Sequence, residues 1–154
     1  MKISGKEIKK QGIEIIVFPR QDGDIVFKAK PVTNFEDFDK LCPRPLPPDL
    51  LKPGGIHVQD IEHPEYKKNL NVWAEKRSNW MLIQSLSATD NLTWDTINLS
   101  DSDTWKNFGK EIEDSGLSNL EMQKLFEIVI IACGLTQSKI EEATKRFLAG
   151  QAAQ

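Results

Sequence analysis

The sequence predicts an α+β fold: a small N-terminal antiparallel β-hairpin sheet plus a C-terminal irregular helical bundle, joined by a Pro/Gly-rich segment. Three observations predict it. First, the β-branched run Ile13-Glu14-Ile15-Ile16-Val17-Phe18 and the run Ile25-Val26-Phe27-Lys28-Ala29 flank a Gln21-Asp22-Gly23-Asp24 turn. Asp-Gly accepts positive φ, so this is the strongest hairpin signal in the chain. Second, Cys42-Pro43-Arg44-Pro45-Leu46-Pro47-Pro48, closed by Lys52-Pro53-Gly54-Gly55, excludes helix and central strand. Each Pro lacks an amide donor and pushes its predecessor out of the right-handed helical region. Third, from His63 onward apolar residues recur at helical spacing. The expected organisation is a β-rich part with one short helix over 1–41, a connector over 42–62, a helical domain over 63–150 and a tail over 151–154.

In chain order, residues 2–10 are expected to add a third, edge strand, its lysines discouraging edge-to-edge pairing. Pro19 ends the first hairpin strand. An isolated hairpin is marginal in water and must rest on something. Asn34 is placed to cap a short helix through Leu41, with Phe35, Phe38 and Leu41 facing inward as a lid on the sheet.

Pro64 suits the first turn of the longest helix, expected to run to about Ser87. Its main apolar stripe is Tyr66, Leu70, Trp73, Ala74, Trp80 and Met81, while Leu82, Ile83 and Leu86 fall opposite. The C-terminal half is therefore apolar nearly all round, which marks a central element. After a polar connector holding Trp94, Ser100-Asp101-Ser102-Asp103 starts a helix on which Trp105, Phe108 and Ile112 share a face, and Gly116 ends it. Ser118-Asn119-Leu120-Glu121 is a capping box opening a helix to Cys133, with Gly134 as its stop. Thr136 is expected to cap the last helix, where Ile140, Ala143, Phe147 and Leu148 form one stripe. Residues 149–154 read as a small, polar, fraying tail. There is no internal repeat.

Bulk properties narrow the function classes. A chain of 154 residues fits one domain, or one with an appendage. No run of 18 apolar residues exists, so a membrane span is not expected. The start carries no apolar h-region, so no secretory signal is expected either. Cys42 and Cys133 stand far apart in unlike contexts, which suits a reducing, cytoplasmic compartment. Residues 1–30 carry seven Lys/Arg against four Asp/Glu, and residues 31–154 thirteen against nineteen. The larger part is thus acidic, and a nucleic-acid partner, which requires a concentrated basic face, is not expected.

The residues carry no recognisable chemistry. Cys42, His57, Asp60 and His63 match no metal-ligand spacing. Neither Ser nor Cys has a nucleophile context near a His base. Asp101/Asp103 and Glu111/Glu113 read as capping residues and a solvated helix face. Gly54-Gly55 lacks the Lys-Ser/Thr of a phosphate loop. No catalytic, cofactor-binding or metal-binding residue is expected.

Two features exceed what a plain core requires. Trp73, Arg77 and Trp80 share a face of the long helix, setting an Arg between two indoles; Trp and Arg dominate interface hot spots. In Leu125-Phe126-Glu127-Ile128-Val129-Ile130-Ile131-Ala132, Leu125, Ile128, Val129 and Ala132 form one side, while Phe126, Ile130 and Ile131 spill around the rest. Trp73, Arg77, Trp80, Phe126, Ile130 and Ile131 are therefore the candidate partner-binding residues.

The order of features has a likeness. A hairpin beginning leads to Phe35-Glu36-Asp37-Phe38, then Leu41-Cys42-Pro43-Arg44-Pro45-Leu46-Pro47-Pro48, Lys52-Pro53-Gly54-Gly55 and His63-Pro64-Glu65-Tyr66. Arg77-Ser78-Asn79-Trp80, Ser85-Leu86, Trp94-Asp95-Thr96-Ile97 and Asp103-Thr104-Trp105 follow. Over most of its length this layout resembles the tail assembly chaperones of long-tailed bacteriophages and prophages. The resemblance implies a non-enzymatic protein of the host cytoplasm that binds the tape measure protein and keeps it soluble while tail tube protein polymerises round it. It also implies absence from the finished virion, and for many members a second, frameshifted form. The family has no motif that fixes contact residues by position. Self-association is compatible with this reading. The alternative expectation is a virion structural protein, a tail-completion or connector component.

Overall fold

A computed structural model of the chain describes residues 2–8, 12–134 and 137–152. The fold is α+β, with hairpins of two strands and five α-helices among the described residues. By its contacts the chain divides into two compact units. One comprises Met1–Thr33, Gln84–Thr93 and Ile112–Gln154; the other comprises Asn34–Ile83 and Trp94–Glu111. This division does not follow the boundaries expected at residues 41 and 62. The Pro/Gly segment belongs with the short helix before it and most of the long helix after it, so it is part of a unit.

In the first unit, β1 (Lys2–Ile3) pairs antiparallel with β2 (Lys6–Glu7). Among the described residues the expected third strand is thus folded on itself, in a sheet separate from the main hairpin. Ser4 and Gly5 both take positive φ (52° and 77°), which closes a tight two-residue turn. Residues 9 and 10 of that expected strand lie outside the described residues. The main hairpin is β3 (Glu14–Phe18) against β4 (Ile25–Ala29), in register Ile16↔Phe27 and Val17↔Val26. Phe18, Phe27 and Ala29 are buried, and the two rings meet edge-on at 6.0 Å. Beyond β4, the segment after Leu86 supplies partners: Lys28 N–H donates to Thr89 Oγ1 at 2.9 Å and the Thr89 hydroxyl donates back to Lys28 O at 3.1 Å.

The helix that covers this sheet is α4 (Asn119–Ala132), which lies against both β3 and β4. It starts where the capping box predicts: the Glu121 N–H donates to Ser118 Oγ at 3.2 Å. The buried side is Leu125, Ile128, Val129 and Ala132, the side read from the sequence. The Glu121 carboxylate accepts two hydrogen bonds from Arg20, at 3.2 and 2.6 Å, tying the start of α4 to the residue that follows β3 and Pro19. The last helix, α5 (Gln137–Ala152), continues through most of the expected tail. Thr136, its expected cap, lies outside the described residues.

The second unit is built round aromatic rings. Its short helix α1 (Glu36–Leu41) buries Phe38 completely, while Leu41 stays 45% exposed. Phe38 meets Trp73, Trp80 and Trp105 at ring distances of 5.9, 5.7 and 6.0 Å. The expected lid on the hairpin is therefore corrected: α4 covers the sheet, and the inward face of α1 is taken up by indoles. Asn34 Oδ1 accepts from Glu36 N–H at 2.8 Å, although Phe35 is the N-cap residue.

The Pro/Gly segment contains an unexpected hairpin, β5 (Asp49–Lys52) with β6 (Ile56–Gln59), in register Leu50↔Val58 and Lys52↔Ile56. Gly54 and Gly55 take φ of 92° and 76°, a turn that only residues free of a Cβ adopt readily. The long helix α2 (Pro64–Leu86) has the expected extent. Its C-terminal half is covered nearly all round, with Trp80, Ile83, Ser85 and Leu86 buried. Lys76 on α2 donates to Ser102 Oγ at 3.2 Å and pairs with Asp103 at 3.1 Å. The helix expected after Asp103 opens as a 3₁₀ segment, Ser102–Asn107, before α3 (Phe108–Asp114). Asp101 caps it by accepting from Asp103 N–H at 3.1 Å. Trp105, Phe108 and Ile112 are buried along it, as their spacing predicts.

Candidate interaction surface

The candidates on α2 fall into different environments. Trp80 is 4% exposed and packs against Phe35 at 5.4 Å as well as Phe38, so it is a core residue with no face to offer. Trp73 is half-buried, and its indole N–H donates to the Cys42 carbonyl at 3.0 Å. Arg77 does not sit between two indoles: its guanidinium lies over Phe35 at 4.0 Å and reaches Trp73 at 5.9 Å. Arg44 takes a further position over Trp73 at 5.4 Å. Guanidinium groups over ring faces are held there by the ring quadrupole at about 0.5–2 kcal/mol each, and both arginines remain exposed. This corner is an aromatic core rimmed by two cations.

On α4, Ile130 is 41% exposed, and Phe126 and Ile131 are half-buried. Ile131 and Ala132 form one wall of a groove of about 440 Å³ in the first unit; Ile140 and Ala143 of α5 line it too, with Gly12 and Glu14 at the start of β3. Of the three candidates on α4, Ile131 thus lines this groove, and Phe126 and Ile130 do not.

Two apolar surfaces were not among the candidates. The face of the β3–β4 hairpin turned from α4 carries Ile15, Val17 and Val26, and Ile13 precedes them in the same alternation. These four are 58, 49, 43 and 56% exposed. The sign was present in the sequence: a strand reading Ile13, Ile15, Val17 on one parity and Ile16, Phe18 on the other is apolar on both faces, the pattern of a strand with two apolar neighbours. The other surface is α5, whose stripe residues Ile140, Phe147 and Leu148 are all more than half exposed. An amphipathic pattern predicts which face wants cover, not whether the same chain supplies it.

The polar groups have structural partners. Glu111 accepts from the Asp95 and Thr96 N–H groups at 3.1 and 2.6 Å, and from the Thr96 hydroxyl. Burial alone would raise its pKa, but these bonds and one from Ile97 outweigh it and hold the carboxyl below its ordinary value. Glu111 therefore ties down the connector after Trp94 and is not simply a solvated-face residue. Cys42 is buried, and His63 Nδ1 accepts from Glu65 N–H at 3.3 Å. Among the described residues no three His, Cys, Asp or Glu side chains are grouped so as to hold a metal ion, and no helix is long and apolar enough to cross a membrane. No protein-family model, curated protein or solved structure matches the chain.

Proposed function

We propose that the chain is a tail assembly chaperone of a long-tailed bacteriophage or prophage, a non-catalytic protein of the host cytoplasm. It covers apolar helical stretches of the tape measure protein while the tail tube protein polymerises. The layout of motifs from Phe35 to Trp105 supports this reading. The observation that carries it is the open apolar face of Ile13, Ile15, Val17 and Val26 on a chain of net charge −3. A holdase needs both properties at once: apolar area for an amphipathic client and enough charge to remain dispersed.

Completing the burial of four half-exposed aliphatic side chains is worth on the order of 4 kcal/mol before the costs of association. One such site binds a helix weakly and reversibly, which suits a protein that must be shed as the tube closes. Repeated copies along a long client supply the remaining affinity by avidity.

The test is co-expression of tape measure protein with the wild type and with Ile15→Asp/Val17→Asp, both on the outer face. The wild type is expected to keep the client soluble, and the variant, folded by circular dichroism, to lose that effect. A folded variant that solubilises the client as well as the wild type does overturns the assignment of the face. Mass spectrometry of purified virions separates the structural alternative: a chaperone is absent, a connector or tail-completion protein present in stoichiometric amount.

A further inference from the structure

Arg44 and Arg77 are held in place without being neutralised. Arg77 lies over Phe35 at 4.0 Å, and both guanidinium groups stand over the Trp73 ring, at 5.4 and 5.9 Å. That ring is itself fixed by the bond from its indole N–H to the Cys42 carbonyl. Pro43 and Pro45 restrain the backbone on either side of Arg44. A ring takes the face of a guanidinium and leaves its edge, with five N–H donors, for a planar oxyanion. Among the described residues neither arginine pairs with a carboxylate or donates to a protein acceptor. Arg20 is the contrast, its fork taken up by Glu121. We propose that Arg44 and Arg77 form the docking site for an acidic, amphipathic helix of a partner protein, each guanidinium taking one of its carboxylates.

Charge complementarity selects this occupant. Two ordered cations without counter-charges favour an anionic partner, and the rings have already met the cost of fixing their side chains. Sharing one ring, the two guanidinium carbons are no more than about 11 Å apart, a span matched by carboxylates one or two turns apart on a helix. Glu36 and Asp37 follow Phe35 directly and pair with neither arginine. They repel a uniformly acidic chain and so favour one whose carboxylates fall opposite the arginines alone. The apolar surroundings favour a polypeptide over a free anion. Leu41 and Leu46, on either side of Arg44 in the chain, are 45 and 83% exposed, and Phe35 and Trp73 are only half-buried. Arg and Trp together are the residue types that most often carry binding energy at interfaces. The site uses residues of the second unit alone and does not depend on the chaperone reading.

Fluorescence anisotropy of a labelled synthetic helix, with a Leu stripe and Glu at i, i+4 and i+7, tests it against the full chain. Saturable binding is expected below about 500 μM protein, the range that a few exposed ion pairs on a small apolar patch support. The same peptide with Gln for every Glu is expected to bind about tenfold more weakly or worse. Arg44→Gln and Arg77→Gln, each folded by circular dichroism, should each weaken binding about fivefold. The peptide series needs no variant, so it decides the matter even where a substitution unfolds the chain. A peptide that fails to bind, that binds no better than its Gln counterpart, or that is indifferent to both arginine substitutions overturns the inference. Displacement by an equal concentration of inorganic phosphate overturns it too, because the site would then be one for a free anion. Ile15 and Val17 are untouched, so failure here leaves the client-solubility experiment independent.

Discussion

Ser85 and Lys30 exchange two hydrogen bonds: the Lys30 N–H donates to the Ser85 carbonyl at 2.9 Å, and the Ser85 hydroxyl donates to the Lys30 carbonyl at 2.8 Å. Ser85 is wholly buried near the end of α2. Together with the Thr89–Lys28 pair, this gives the outer edge of β4 partners that a two-stranded hairpin would otherwise lack. Ser85→Ala deletes the donor to the part-buried Lys30 carbonyl, a loss of about 1 kcal/mol. Urea denaturation should show it. The exposed Ser87→Ala serves as control and should stay within about 0.5 kcal/mol of wild type.

The second unit depends on one ring. Phe38 has no exposed surface and lies within 6.0 Å of three indoles. Phe38→Ala removes the centre of that cluster and should cost about 3–5 kcal/mol, enough to unfold a marginal unit. Trp73→Phe keeps most of the apolar volume and loses the N–H bond to Cys42, so its cost should be near 1 kcal/mol. Thermal melts followed by tryptophan fluorescence check the order of the two. Equal losses would mean that Phe38 is not the keystone of the cluster.

These cases show what was readable in the chain. The β3–β4 hairpin, the extent of α2 and the buried side of α4 follow from local signals: an Asp-Gly turn, Pro64 in a first turn, and a capping box ahead of a 3.6-residue period. The β5–β6 hairpin did not follow, although Pro53-Gly54-Gly55 is a turn. All its residues but Val58 are exposed, so alternation between inside and outside never appears in the sequence. The role of Trp80 was hidden for another reason. Helical spacing places Trp73, Arg77 and Trp80 on one face, but whether that face meets solvent depends on Phe35 and Phe38, some forty residues earlier. The exposed surfaces on β3 and α5 were likewise patterns whose cover, or lack of it, is decided by the rest of the chain.

Glu111 gives stability a dependence on pH with a definite sign. Its carboxyl is held below the ordinary value of 4.5 in the folded chain, so the unfolded chain binds the proton more readily. The contribution of its ionised form is present above about pH 4.5 and is lost as pH falls through the lower, folded value. Glu111→Gln abolishes that dependence. The difference in melting temperature between wild type and variant should be largest near pH 7 and shrink steadily below pH 4.5. A difference that grows on acidification would reverse the assignment.

The Ser118 cap is expected to govern the helix on which the first unit rests. Ser118 Oγ receives the Glu121 N–H, which would otherwise be an orphan of the first turn of α4. Ser118→Ala deletes that acceptor and should cost about 1 kcal/mol, whereas Ser118→Asp supplies a charged acceptor at the positive end of the helix dipole and should be neutral or stabilising. Ser118→Gly should lie between wild type and Ala, because water can reach the freed amide more easily beside glycine. The loss should appear in the slowest-exchanging amides of α4 as well as in the fraying first turn. Leu125, Val129 and Ala132 are buried on the same helix, so the start of α4 cannot loosen without cost to the packing beneath the sheet. Hydrogen exchange of Ser118→Ala that quickens only at residues 119–122 would instead mean that the first turn melts independently of the rest.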